Sequence, residues 1–146
     1  MAPHYKQSSP GACLPAYARM VLAALGDERS EAELAAVMES YDFGTPANRV
    51  TRLEKLNYRV KFGPSSLEEL RVYLEQGLFP IVFVYAGFLP WAKFEGFHAL
   101  VLTQVTPTEV MLLDPALDEG PSQLSLDGFL MAWEEFDSLT AIILQE

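Results

Sequence analysis

The apolar residues change rhythm part-way along the chain, and this change restricts the architecture more than any other feature. Before residue 78 they recur at three- and four-residue spacing; after it they gather in runs of Val, Ile, Leu and Phe separated by Gly, Pro and Thr. The first rhythm belongs to helices that bury one face, the second to strands. An α+β chain is therefore predicted, with an N-terminal helical part packed on an antiparallel β-sheet.

Leu14, Tyr17, Ala18, Val21, Leu22 and Leu25 mark a first helix that stops at Gly26. Pro15 lacks an amide hydrogen and is tolerated only in a first helical turn, so this helix must begin close to residues 12 to 14. Cys13 then stands at its N-terminus. Ser30, ahead of Glu31 and Glu33, predicts a capped second helix with Leu34, Val37 and Met38. Thr45-Pro46 opens a third helix carrying Val50, Leu53 and Leu56. A strand is expected over 58–62, broken by Gly63-Pro64. Ser66 and Glu69 have the spacing of a capping box for a helix through Leu70 and Leu74 to Gly77.

Further strands are predicted over 79–85, 97–105, 109–113 and 139–144, with a helix through Leu126, Phe129, Leu130 and Trp133 before the last of them. The Thr106-Pro107-Thr108 turn makes the middle pair an antiparallel hairpin. The start of one strand then lies beside the end of the other, which makes His98 and Asp114 neighbours.

With 146 residues, 50% of them apolar, the chain can bury one core, and residues 1–146 are expected to form a single domain. Twenty acidic against ten basic residues give a net charge of -10, which repels a phosphate backbone and argues against nucleic acid as a partner. The acidic pairs Asp118-Glu119 and Glu134-Glu135 read as solvent-facing charge. One cysteine excludes an internal disulfide, and with only two histidines it cannot supply a structural zinc cluster. No metal or cofactor is expected. The first nine residues contain no apolar stretch of signal-peptide length. The most apolar stretch, 78–92, is interrupted by Pro80, Gly87 and Pro90 and falls short of the ~20 residues that span a bilayer. No membrane insertion is expected, and the default location is cytoplasmic.

Chemistry is concentrated in four residues. A thiolate attacks a carbonyl far better than a thiol, and a helix N-terminus or a protonated imidazole lowers a thiol's pKa. Cys13 has the first by position, and His98 is the candidate for the second, as base and then acid. Asp114, beside it in the hairpin, is placed to fix the imidazole tautomer. Gln7 is a candidate donor to the oxyanion of a tetrahedral intermediate. Each residue also has an ordinary structural reading: a core thiol, a strand histidine, a turn aspartate bonding local backbone, and a surface amide.

Taken together, Gln7 six residues before Cys13, the helix start Cys13-Leu14-Pro15-Ala16, the strand His98-Ala99-Leu100-Val101-Leu102, Asp114-Pro115 and the later Phe129 and Trp133 resemble the bacteriocin-processing, or double-glycine leader, peptidases and their stand-alone relatives. The likeness spans nearly the whole chain. It implies a papain-like fold in which Cys13 is nucleophile, His98 base, Asp114 its orienter and Gln7 an oxyanion donor, with Phe129 and Trp133 in the core. It also implies thiol-dependent hydrolysis of an extended peptide, a leader peptide being one candidate. Any coupling to export would run through a separate exporter partner. Two readings compete with this one: another acyl-transfer enzyme of amidase or transglutaminase type, and a peptide-binding module without catalysis. The chain departs from the family in having Ala12 and Leu14 where an acidic or amide residue and a glycine are usual. Leu14 either narrows the approach to the thiol or faces the core.

Overall fold

The structure is a computed structural model that describes residues 2–8, 13–39, 46–93 and 95–145, with the Cys13 side chain outside that description. Six strands form one antiparallel sheet in the order β1-β6-β2-β3-β4-β5: β1 (Tyr58–Pro64), β2 (Ile81–Tyr85), β3 (Phe97–Val105), β4 (Glu109–Leu113), β5 (Ser122–Ser125) and β6 (Leu139–Gln145). Among the described residues four α-helices accompany it: α1 (Cys13–Ala24), α2 (Glu31–Met38), α3 (Leu67–Glu75) and α4 (Leu126–Glu134). The chain is α+β, as its rhythm predicts.

Helices cover both faces of the sheet. On one face α1, α2 and the segment 47–56 enclose a core with Tyr17, Leu22, Leu34 and Leu53 against Ile81, Phe83, Val101 and Ile143. On the other, Leu70 of α3 and Phe129, Ala132 and Trp133 of α4 pack against Val82, Val84, Leu100, Leu102 and Leu112. Alternate residues of β2 and β3 thus enter different cores. Both strands are buried on each side, which is why they read as unbroken apolar runs. Phe129 and Trp133 stack with centroids 5.3 Å apart, and the Trp133 indole donates to the Leu139 carbonyl at 3.1 Å. Their core assignment holds.

Local signals are realised with few changes. The capping box is complete: Ser66 Oγ accepts from the Glu69 amide, and the Glu69 carboxylate accepts from the Ser66 amide, each at 3.1 Å. Ser30 caps α2 with its side chain, which accepts from the Glu33 amide at 3.1 Å. Gly63-Pro64 does not end β1, whose pairing with β6 runs on to Pro64↔Leu139. Proline is acceptable there because β1 is an edge strand.

The expected third helix is a 3₁₀-helix, Ala47–Leu56, and Thr45 lies outside the described residues. Its apolar residues Ala47, Val50, Leu53 and Leu56 are spaced by three, so three residues per turn aligns all four on one face. At 3.6 residues per turn they would spiral off the core. The sequence pattern also gives no sign of β5, whose one buried residue is Leu124.

Candidate active site

α1 begins at Cys13, and Pro15 occupies its first turn. Leu14 is 2% exposed and belongs to the core beneath the helix. Of its two expected orientations, the inward one is adopted. One turn beyond Cys13, on the same face of the helix, Tyr17 is fully buried and its hydroxyl lies 3.3 Å from Nε2 and 3.5 Å from Nδ1 of His98. Position 13 is thereby on the side of α1 that meets the imidazole. The expected approach of the Cys13 sulfur to His98 lies outside the described residues.

His98 is the second residue of β3 and is paired with Val84 of β2. Leu113, the last residue of β4, pairs with Val101, so the chain leaves the hairpin next to the beginning of β3. The consequence is direct: His98 Nε2 lies 3.0 Å from Asp114 Oδ1, and both side chains are almost fully buried. An ionised carboxylate only accepts, so Nε2 carries the hydrogen and Nδ1 is the ring's acceptor.

Asp114 is held from three sides. Its Oδ1 also accepts the Ala116 amide at 2.9 Å, and its Oδ2 accepts the Trp91 indole N–H at 2.9 Å. Burial alone would push its carboxyl up, but the hydrogen bond and charge of His98, with the bonds from Trp91 and Ala116, hold it below the usual carboxylate value. The local backbone bond expected of a turn aspartate is present beside the bond to His98. Both readings of Asp114 apply at once.

Gln7 enters the same neighbourhood through the N-terminal segment. Its backbone N–H donates to the Pro115 carbonyl at 2.8 Å, while His4 Nε2 lies 2.9 Å from the Leu117 carbonyl and Lys6 pairs with Asp118. On the other side Glu31, at the start of α2, accepts the Ser8 amide at 3.1 Å and also the Ser8 hydroxyl. The turn after Asp114 therefore supports both the His98 partner and the backbone of Gln7. Asp118, Glu119, Glu134 and Glu135 are exposed, as expected, and Asp118 pairs with Lys6 on the surface.

Three contributors were not legible as site residues. Tyr17 follows Cys13 by four positions, a spacing that predicts a shared face but not contact with His98. Trp91 falls in the connection before β3, and no sequence pattern ties its N–H to Asp114. Glu31 reads simply as a first-turn helix acid.

Among the described residues no helix is long and apolar enough to cross a membrane. A search of curated proteins finds no match. Solved structures share the fold at low identity. The peptidase domain of Streptococcus ComA, a bi-functional ABC transporter involved in a quorum sensing pathway, has a TM-score of 0.75 at 17% identity, with 100% of each chain covered. A C39-like peptidase from Bacillus anthracis reaches 0.82 at 15% identity, covering 99% of this chain and 95% of that one. A double glycine motif protease from an AMS/PCAT transporter, solved with the leader peptide, gives 0.76 at 18%, covering 100% and 93%. The fold is accordingly that of the C39, papain-like peptidases. The family model described as Peptidase_C39 like matches residues 1–141, and the chain belongs to that family.

Proposed function

We propose that this protein is a cysteine peptidase whose single domain, residues 1–146, cleaves a peptide bond in an extended segment, with Cys13 as nucleophile, His98 as acid and base, Asp114 as orienter and Gln7 as oxyanion donor. The observation that carries the proposal is the 3.0 Å bond from His98 Nε2 to Asp114 Oδ1, facing the helix that starts at Cys13. With Nε2 occupied by the carboxylate, Nδ1 is the nitrogen that takes the thiol proton.

The resulting thiolate is favoured by the imidazolium and by the positive end of α1. It attacks the scissile carbonyl, and the carbonyl oxygen gains the negative charge. The Gln7 side-chain amide and the Cys13 backbone N–H are the donors assigned to that oxygen. As the C–N bond breaks, His98 returns its proton to the leaving amine, leaving an acyl-enzyme. A water then gives its proton to His98 and its hydroxyl to the acyl carbon, and the thiolate departs. No metal or cofactor enters these steps.

Family membership supports peptide hydrolysis over transfer to an amine. The burial of Leu14 supports catalysis over a binding module, because this side chain lies in the core and not in the approach to the thiol. The leader peptide bound in the AMS/PCAT relative makes a leader with a double-glycine motif the first substrate to test. This reading places the enzyme in the cytoplasm, where a lone catalytic thiol stays reduced, and makes a peptide exporter the partner to test. Incubating the purified protein with double-glycine leader peptides should release a new C-terminus detectable by mass spectrometry. Cys13→Ala should lower the rate at least about a thousandfold; hydrolysis that survives this substitution would sink the proposal.

A further inference from the structure

In the β2–β3 connection, residues 86–93 hold one side chain against the site. The Ala86 amide donates to the Gly96 carbonyl at 2.8 Å and closes the neck of the loop. Two successive turns follow, Leu89 N–H to the Ala86 carbonyl at 2.9 Å and Ala92 N–H to the Leu89 carbonyl at 3.3 Å. They fold the chain back so that the Trp91 ring packs against the core beneath α4, while its Nε1–H reaches Asp114 Oδ2.

A carboxylate's last torsion has a broad, shallow preference and is fixed only by what its two oxygens meet. Oδ1 of Asp114 is shared between His98 and the Ala116 amide, and both bonds lie on one side of the group. The indole supplies the bond to the opposite oxygen. Without it the carboxylate can turn about its Cβ–Cγ bond, and the acceptor presented to His98 Nε2 drifts out of line.

We propose that Trp91 is a positioning residue for this site: its indole N–H fixes the Asp114 carboxylate so that Oδ1 is presented to His98. The inference rests on the Cys–His–Asp reading above and extends it to a residue on the loop before β3.

The chain has one cysteine, so its alkylation by iodoacetamide reports on Cys13 alone. In the wild type, fast alkylation should persist well below the ordinary thiol range near ~8.5, because the imidazolium stabilises the thiolate. Trp91→Phe keeps a ring and loses the donor. The acid limb of its alkylation profile should move up by about half a pH unit, and kcat for peptide cleavage should fall about tenfold with KM nearly unchanged. Trp91→Gln loses the ring but restores an N–H, and should recover at least half of the limb shift.

A Trp91→Phe profile that superimposes on the wild type overturns the inference and leaves the peptidase reading standing. Equal limb shifts in the Phe and Gln variants also overturn it, since the ring's packing would then be its whole role. A wild-type profile that follows an ordinary thiol overturns the peptidase reading itself, and is recognised before any variant is compared.

Discussion

His98 and Asp114 stand at the ends of two paired strands, whereas Cys13 and Gln7 reach the same place from a helix start and an extended N-terminal segment. The first pair is set by strands that run between two buried cores: β3 pairs with β2 at His98 and with β4 from Val101, and Asp114 directly follows the paired Leu113. The second pair depends on links between separate pieces of chain: Gln7 to Pro115, Ser8 to Glu31, and Tyr17 to His98. A sheet fixes relative positions through many shared hydrogen bonds, whereas a segment held by a few depends on each one. The acid–base half should therefore resist perturbation of its surroundings, and the nucleophile–oxyanion half should respond to it.

The largest expected effect within this comparison comes from His98→Ala. Loss of the acid–base group should lower kcat by about 10²–10⁴-fold, with the thermal midpoint falling by a few degrees because the buried Asp114 carboxylate loses one of its donors. A large loss of stability instead would show that the two halves are not separable. Gln7→Ala should lower kcat by about 10²–10³-fold, the usual range for one oxyanion donor, with KM and the limbs of the pH–rate profile in place. A KM increase alone would assign Gln7 to substrate binding.

The smallest effect concerns how α1 is seated. Beyond its C-terminal end, Asp27 accepts the Tyr58 hydroxyl of β1 at 2.6 Å and Arg29 Nε at 2.9 Å. The Arg29 and Tyr58 bonds hold the Asp27 carboxyl below its usual value. Burial first, and then the bond to Asp27, push the Tyr58 hydroxyl up to about 12. A raised folded-state pKa contributes stability that is complete below the unfolded value, ~10, and is lost as pH climbs through the folded one. Tyr58→Phe should thus cost about 1 kcal/mol at neutral pH, with the difference from wild type shrinking between pH ~10 and 12. Urea titration across that range measures it. Peptidase activity at pH 7 should be unchanged; a fall would mean that the seating of α1 reaches Cys13.

The site was legible where it follows short-range rules and illegible where it follows packing. The position of Cys13 came from Pro15, and the meeting of His98 with Asp114 from the turn at 106–108. By contrast Trp91 and Asp114 are joined by a loop that folds back on itself, and nothing in the neighbourhood of either residue specifies the other. The 3₁₀-helix is an intermediate case. Its three-residue spacing was visible in Ala47, Val50, Leu53 and Leu56 but passes for an α-helical stripe unless counted closely.

The sequence by itself determined the α+β class, the start of α1, the caps of α2 and α3, and the β3–β4 hairpin, because each rests on sterics and hydrogen bonds between residues a few positions apart. Only the tertiary structure decided the strand order, the burial of Leu14, the bond from Trp91 to Asp114 and the clasp of Gln7 on Pro115. Those contacts join residues far apart in the chain, and they exist because the two cores on either face of the sheet fill together and leave each side chain one place to go.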